Sequence, residues 1–315
     1  MMERILTGFL FALAIAALSL PGFVLPALPI LMIAAVAVIC MRELADALSV
    51  YGLKPLRFMS LAGAACVAAP LLAPLVHGDP GWRLLARSAP DAAFLEAAGG
   101  VRSLVISLLA TGYAAASGIM LMLVMASIMG VILKEGPKVL LDAVATSAMI
   151  MYIAFPLSCL VLMLVALPDG YLWMLAAMAV SWVTDVTAFF AGSFFGRHKI
   201  VPAISPKKTW EGGIGGAIGG MLVMTAWFLL FMRSPFPDEA PSTVFLLAAG
   251  AVTGFLCSAS AQLGDWFASA VKRFCGVKDF GTVLPGHGGV LDRFDSVLFS
   301  APTLLLCALV FYIVR

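Results

Sequence analysis

Nine apolar runs, each close to the length needed to cross a lipid bilayer, dominate this sequence. A transmembrane helix needs about 20 mostly apolar residues to span ~30 Å of hydrocarbon. The chain is 63% hydrophobic and only 11% charged, far more apolar than a soluble domain. It is therefore predicted to be an all-α, polytopic integral membrane protein with about nine transmembrane helices. The predicted spans are Ile5–Leu20, Val24–Met41, Phe58–Val76, Leu104–Leu133, Val139–Leu167, Leu172–Phe195, Ile214–Met232, Val244–Leu263 and Val297–Val314.

Two of these runs leave alternatives open. Ile5–Leu20 has the length of a signal peptide, but it lacks a clear small-residue cleavage site and feeds at once into the second run. We therefore expect it to be retained as the first arm of a helical hairpin. Leu104–Leu133 is long enough to form either one tilted helix or a span followed by a surface helix.

The loop charges predict the orientation of the chain in the membrane. With the N terminus inside and nine spans, 14 of the 19 Lys and Arg residues fall on the cytoplasmic side. Such an excess agrees with the positive-inside rule. The same topology places the polar motifs of the C-terminal half on the cytoplasmic face. Part of the basic excess is also explained by attraction to anionic lipid.

An isolated carboxylate, Asp185, lies within the sixth predicted span, about ten residues before its cytoplasmic end. At ~1.5 Å per residue this places it roughly 15 Å deep, where an unpaired charge costs several kcal/mol. It is expected either to face a functional cavity or to pair with a buried hydroxyl or arginine. Gly192 and Gly196 share one helix face farther along, which favours close helix packing over a binding cleft.

The segment SPKKTWEGGIGG, Ser205 to Gly216, combines two lysines with a glycine run. Backbone amides in such a segment can hold an anion, and two ammonium groups add positive charge. A basic patch next to the membrane explains the lysines equally well. The glycines that follow are suited to close packing of the seventh helix.

The segment from Gln262 to Ser296 concentrates acids, bases and glycines between two apolar runs. Asp265 follows the eighth span, and Asp292 and Asp295 share one face if the ninth helix begins here. Three acids that converge at a membrane boundary require a cation, and hard oxygen ligands suit Mg²⁺. Acids for a metal and bases for phosphate are what phosphoryl or nucleotidyl transfer needs. The basic residues around the acids are Lys272, Arg273, Lys278 and Arg293.

Two other features of this segment have more than one interpretation. His287, in the run PGHGG, could donate to a phosphate or brace the glycine turn. The flexible glycines would allow the backbone to approach a phosphate closely. Alternatively, the charges of the segment could pair with one another in a solvated loop.

The run from Ser269 to Asp295 resembles the signature of the phosphatidate cytidylyltransferases, also called CDP-diacylglycerol synthases. The pattern falls without a break on Ser269, Val271, Lys272, Arg273, Lys278, Asp279, Gly281, Leu284, Pro285, His287, Gly288, Gly289, Val290, Asp292, Arg293, Phe294 and Asp295. Upstream, Asp185 with its spaced glycines and the SPKKTWEG block also correspond to family elements. The resemblance covers Trp182 to the C terminus, and the preceding residues match only as apolar spans. It therefore divides the chain into N-terminal membrane helices, 1–170, and a catalytic membrane region, 171–315.

The resemblance implies the reaction of CTP with phosphatidate to give CDP-diacylglycerol and pyrophosphate. It assigns metal binding to Asp265, Asp292 and Asp295, with Mg²⁺ as the cofactor and a second cation left open. With Lys272 and Arg293, these acids form the expected catalytic set. The expected substrate-binding residues are Asp185, Ser205, Lys207, Lys208, Thr209, Ser269, Lys278, His287, Gly288 and Gly289.

The resemblance further implies a bacterial cytoplasmic (inner) membrane protein whose active site faces the cytoplasm and which forms a homodimer. No nucleic-acid partner is expected. A CTP-dependent lipid kinase of the polyprenol kinase type is the rival enzyme. An ion-coupled transporter, with Asp185 and Asp265 as coupling sites, is the rival from another class.

Overall fold

A computed structural model describes residues 27–55, 59–69, 101–136, 140–167, 169–202, 204–232, 241–283 and 288–314. Across these ranges the regular structure is helical, and an isolated β-bridge joins Lys199 to Thr209. The elements are α1 (Ala27–Tyr51), α2 (Met59–Ala68), α3 (Val101–Glu135), α4 (Leu140–Met149), a π-helical turn (Ile150–Ala154), α5 (Phe155–Ala166), α6 (Gly170–Phe195), α7 (Trp210–Phe231), α8 (Thr243–Phe274) and α9 (Leu291–Val314).

Six helical stretches in the described part of the chain are long and apolar enough to cross a membrane. They are Leu28–Tyr51, Leu140–Ala166, Gly170–Phe195, Trp210–Phe231, Thr243–Phe274 and Leu291–Val314. The predicted all-α, polytopic membrane architecture is therefore confirmed. The count of nine spans stays a prediction. Ile5–Leu20 lies outside the described residues, Phe58–Val76 is described only over 59–69, and Leu104–Leu133 is helical but is not among the six stretches.

At three helices the structure either decides between the predicted alternatives or extends the predicted bounds. The run Leu104–Leu133 is one continuous helix, α3, of 35 residues. Helix α8 continues eleven residues beyond the predicted end at Leu263, so Asp265, Lys272 and Arg273 lie on helix. Helix α9 begins at Leu291, before the predicted start at Val297, so Asp292 and Asp295 lie within its first two turns and the condition for their shared face is met.

The chain divides into two compact units that alternate along the sequence. The first contains the described residues up to Leu167 together with Phe274–Arg293, and the second contains Pro168–Arg273 and Phe294–Arg315. The predicted division into 1–170 and 171–315 concerned function, and it stays a prediction.

In the first unit, close contacts join helices that are distant in sequence. A side chain at Gly63 would collide with the sulfur of Met41, so α1 and α2 approach closely there. The amide of Lys54 donates to Asp142 in the first turn of α4 (2.8 Å). Between α4 and α5 the helix widens into the π turn, where the Phe155 amide donates to the Ile150 carbonyl. Pro156 follows directly, and it has no amide hydrogen to donate.

The second unit has a buried aromatic cluster around Trp173 of α6. The Trp173 ring packs edge-on against Phe228 of α7, with ring centroids 5.6 Å apart. Its indole nitrogen donates to the hydroxyl of Tyr312 on α9 (3.3 Å), which satisfies a polar atom in an apolar interior. This cluster anchors α6, α7 and α9 to one another.

Glycines set the spacing of the helices in the second unit. A side chain at Gly215 would collide with Ala191 of α6, and one at Gly220 would collide with Ser258 of α8. A Cβ at Gly254 of α8 would meet the backbone of Gly220 and Met221. The predicted close packing along the glycine run of α7 is therefore confirmed, because these positions leave no room for larger side chains.

Candidate active site

Asp185, Asp265 and Asp295 form an acidic cluster in the second unit, with one carboxylate each from α6, α8 and α9. Asp295 is buried, with 6% of its surface exposed. The negative charges of Asp265 and Asp185 act against the charge of Asp295, and the positive charge of Lys272 acts in its favour. Like charges at close range in a poorly hydrated interior are destabilising, so this cluster requires compensating cations.

Ser296 links two of these acids. Its backbone amide donates to Oδ1 of Asp295 (2.8 Å), and its hydroxyl donates to Oδ2 of Asp185 (2.8 Å). The predicted pairing of Asp185 with a buried hydroxyl is thus observed, and the same contact holds Asp185 within the acidic cluster. The two predicted alternatives for Asp185, a structural partner and a functional cavity, are therefore compatible.

The third acid, Asp265, forms an ion pair with Lys208 of the SPKK block. Both side chains are partly exposed, at 32% for Asp265 and 21% for Lys208. The Lys208 ammonium also lies 5.9 Å from the ring centroid of Trp266, within range of a cation–π contact. Lys208 is expected to bind phosphate and Asp265 to bind metal. A phosphate at Lys208 or a metal ion at Asp265 would therefore compete with their ion pair.

The loop that carries Lys208 folds back on itself between α6 and α7. The Ile200 amide donates to the Lys208 carbonyl (3.2 Å), and the Trp210 amide donates to the His198 carbonyl (2.9 Å). Glu211 accepts from the Arg197 amide (3.0 Å) and lies 2.6 Å from Nδ1 of His198. These contacts fix the backbone around Lys208, whereas the neighbouring Lys207 is exposed to solvent.

One more contact attaches this loop to α8, and another lies within the loop itself. Arg273 Nε, at the end of α8, donates to the Ile204 carbonyl (3.4 Å). Ser205 takes part through its backbone, since its carbonyl accepts from the Lys208 amide (3.3 Å). The SPKK block therefore lies beside the part of α8 that carries the acid and the basic residues.

Thr209 is the N-cap of α7. Its hydroxyl accepts from the Gly212 amide (3.2 Å), and the residue is buried. A side chain at Gly196 would come within 2.8 Å of the Thr209 side chain, and one at Gly192 within 3.1 Å. Thr209 thus supports the helix start and the packing of α6 on α7.

In the first unit, Asp292 shapes the backbone of the signature segment. Its Oδ2 accepts from the amides of Phe280 and Gly289, each at 2.9 Å. Gly288 has φ +84°, and a Cβ there would lie 2.9 Å from the same oxygen. Glycine is required at this position because the backbone is left-handed and the carboxylate is adjacent. His287 lies outside the described residues.

A second carboxylate holds the same segment, and the sequence did not single it out. Glu43 of α1 is buried, and its two oxygens accept from the amides of Val290 (2.9 Å) and Leu291 (2.8 Å). The available signal was an acid directly after an apolar run, in CMRELAD. Sequence spacing alone could not pair it with a motif 247 residues away.

The structure brings Asp185, Asp265, Asp295, Lys208 and Lys272 together within the second unit. Ser269 is half-buried one turn after Asp265 on α8. Ser205, Lys207 and Thr209 belong to the same unit, on the loop between α6 and α7. The candidates Lys278, Gly288, Gly289, Asp292 and Arg293 belong to the first unit, where Lys278 is exposed and Arg293 is half-buried. Within the described ranges, no three His, Cys, Asp or Glu side chains form a metal-binding group. The acidic cluster is therefore not an all-protein metal cage.

Comparison with known families gives the site its context. The model of the cytidylyltransferase family matches residues 2–311 of the chain. The chain belongs to the cytidylyltransferase family. The family match extends well beyond the signature region, and it includes the N-terminal helix that carries Glu43.

Three relatives illustrate the similarity of this cytidylyltransferase-family chain to bacterial proteins. Phosphatidate cytidylyltransferase of Staphylococcus haemolyticus (strain JCSC1435) is 44% identical over 136 residues, 43% of this chain and 48% of the relative. Phosphatidate cytidylyltransferase of Staphylococcus aureus (strain COL) is 43% identical over the same coverage. That of Bacillus subtilis (strain 168) is 44% identical over 135 residues, 43% of this chain and 46% of the relative. The chain thus spans about half the length of the curated relatives it matches.

The cap role of Thr209 predicts the effect of its substitution. Thr209→Ala should lower stability by about 0.5–2 kcal/mol, because the Gly212 amide loses its acceptor. Thr209→Ser, which keeps the hydroxyl, is the matched control and should remain close to wild type. Thermal unfolding in detergent measures the stability of both variants relative to wild type. An alanine variant of unchanged stability but with a raised KM for CTP would instead support the substrate contact that the sequence suggested.

Proposed function

We propose that this protein transfers the cytidylyl group of CTP to phosphatidate, giving CDP-diacylglycerol and pyrophosphate for phospholipid synthesis. The observation that carries the proposal is the acidic cluster with Lys208 and Lys272, in a polytopic membrane protein of the cytidylyltransferase family. The similar proteins of Staphylococcus and Bacillus are named phosphatidate cytidylyltransferase. Their name is the basis for proposing CTP and phosphatidate as the substrates.

The chemistry needs positioning and charge neutralisation more than proton transfer. A phosphate oxygen of phosphatidate is already anionic, so it attacks the α-phosphorus of CTP without a strong general base. The bond from the α-phosphorus to the bridging oxygen breaks, and its electron pair leaves with pyrophosphate. Lysines near the reacting phosphates can stabilise the developing charge, and such electrostatic effects supply several kcal/mol.

We assign the phosphate contacts first to the two lysines that interact with the acidic cluster. Lys208 and Lys272 already interact with Asp265 and Asp295, respectively. Substrate phosphates would compete for these lysines and so draw them from their present partners. Exposed Lys207, with Arg293, completes the proposed set.

The acidic cluster also fits Mg²⁺ by the chemistry of its donors. Carboxylate oxygens are hard ligands, and protein-bound Mg²⁺ usually takes one or two carboxylates and completes its shell with water and substrate phosphates. Asp265 and Asp295 are the proposed ligands in the second unit, with Asp292 as the third that the family resemblance assigns. When bound, the ion would neutralise charge on the triphosphate. A second cation remains open.

The rivals are less well supported by the comparisons with known proteins. A CTP-dependent lipid kinase must activate a neutral hydroxyl and attack the γ-phosphorus. The relatives from Staphylococcus and Bacillus are named phosphatidate cytidylyltransferase, which favours transfer to an ionised phosphate over phosphorylation of a hydroxyl. A transporter would use Asp185 and Asp265 as ion-coupling sites, but the family match is to cytidylyltransferases.

The proposed setting is a bacterial cytoplasmic membrane with the active site on the cytoplasmic side. The bacterial relatives and the distribution of loop charge support it. Membrane lipid and CTP are the proposed partners, and nucleic acid is not among them. A homodimer remains a proposal from the family resemblance.

The site of attack on CTP distinguishes cytidylyl transfer from phosphorylation. Purified protein is assayed with phosphatidate and CTP labelled at either the α or the γ phosphate. We expect the α label to enter the lipid fraction and the γ label to leave as pyrophosphate, because the ionised phosphate attacks the α-phosphorus. Recovery of γ label in lipid, with α label retained in free CDP, would show a kinase.

The orientation is tested best at Thr282, which is exposed in the signature segment. Cys275 nearby is unsuitable, because it is only 3% exposed and burial raises the pKa of its thiol, so less thiolate is present to react at neutral pH. In a variant with Thr282→Cys and the six native cysteines replaced, an impermeant maleimide should label only permeabilised cells. A cysteine-free protein is the control. Strong labelling in intact cells would place the segment outside.

A further inference from the structure

Glu43 makes a two-oxygen contact with the start of α9 within the first unit. Its Oε1 accepts from the Val290 amide at 2.9 Å, and its Oε2 accepts from the Leu291 amide at 2.8 Å. Only 5% of the residue is exposed. A buried carboxylate is tolerated when hydrogen bonds satisfy its oxygens, and here each oxygen has a backbone donor.

The donors are amides that the helix itself cannot satisfy. The first amides of an α-helix have no intrahelical acceptor, and the positive end of the helix dipole favours a negative charge there. Glu43 therefore acts as a cap for α9 supplied by α1. Because two consecutive amides bind two oxygens of one group, the contact fixes direction as well as distance.

The glycines of the signature segment make room for this carboxylate. A Cβ at Gly289 would lie 2.5 Å from Oε2 of Glu43, and a side chain at Gly281 would collide with the same group. These glycines belong to the motif by which the sequence resembles phosphatidate cytidylyltransferases. Close approach to Glu43 gives them a structural reason that does not involve a ligand.

Glu43 and Asp292 together hold four amides of the segment. Asp292 binds those of Phe280 and Gly289, and Glu43 binds those of Val290 and Leu291. The charge of Asp292 acts against that of Glu43. The four amide hydrogen bonds offset this repulsion, so the two acids together fix the conformation of the segment.

We propose that Glu43 is a positioning residue for the cytidylyl transfer reaction. It sets the first turn of α9 and therefore the placement of Asp292 and Arg293 on that turn. The proposal rests on the proposed function, but the contact itself can be measured without turnover. It also gives the N-terminal membrane helices a direct part in building the signature segment.

The test compares Glu43→Gln and Glu43→Ala with Asp46→Asn, an exposed carboxyl on the same helix. The glutamine variant keeps the shape but replaces one acceptor by a donor, so the amides of Val290 and Leu291 should exchange hydrogen faster while those beyond Phe294 are unchanged. We expect kcat to fall about 10- to 100-fold, the range for loss of a supporting contact, with KM for CTP little changed. Asp46→Asn removes a repulsion on Glu43 that is weaker than that of Asp292, but none of its hydrogen bonds, so this variant should match wild type in both measurements.

Three results are decisive against the proposal. Unchanged exchange at Val290 and Leu291 in the glutamine and alanine variants would show that Glu43 does not hold the segment. Unchanged kcat despite faster local exchange would reduce its role to stability. Faster hydrogen exchange throughout the chain, together with a lowered melting temperature, would also show that Glu43 contributes only to stability. If wild-type protein turns over neither CTP nor phosphatidate, the proposed function fails, and the exchange data alone decide whether Glu43 positions α9.

Discussion

The buried carboxylate of Asp295, close to two other acids, is the constraint around which the second unit is built. An uncompensated charge among apolar membrane helices costs several kcal/mol, and like charges increase that cost. The unit compensates with Lys272, with Ser296 between Asp295 and Asp185, and with Lys208 on Asp265. Because Lys208 belongs to the loop between α6 and α7, that loop must fold back to reach α8. Glycines allow α6, α7 and α8 to approach closely, which also helps to bring the compensating groups to the acids.

The signature segment of the first unit follows a different principle, in which carboxylates bind backbone amides instead of cations. Asp292 and Glu43 hold the segment around Gly288 and Gly289, so the glycines of the motif are explained by backbone conformation and by close approach to acids. An acid of the motif can therefore have a conformational role in addition to any part in metal binding. Both units show polar groups that are satisfied by specific partners, which is the condition for polar chemistry inside a membrane protein.

Much of this arrangement could be predicted from sequence because it depends on local patterns. Apolar run lengths predicted the helices, and the glycine run of α7 predicted close packing. The i, i+3 spacing of Asp292 and Asp295 predicted a shared face on the condition that the ninth helix began before them. The ion pair of Lys208 with Asp265 and the cap supplied by Glu43 could not be predicted, since each joins residues far apart in the chain. The helix-cap role of Thr209 is seen only in the structure, and the substrate contact that its motif suggested stays a prediction.

The most direct measurement of the central claim is turnover of Asp295→Asn across a Mg²⁺ titration, together with its melting temperature. The substitution removes a charge from a cluster of acids, so we expect activity to fall by at least about 100-fold while stability is equal to or greater than that of wild type. Asp169→Asn, at an exposed position with φ 52° that asparagine tolerates, is the matched control and should keep full activity. Near-normal turnover of Asp295→Asn at ordinary Mg²⁺ would contradict the assignment of the acidic cluster as the catalytic centre.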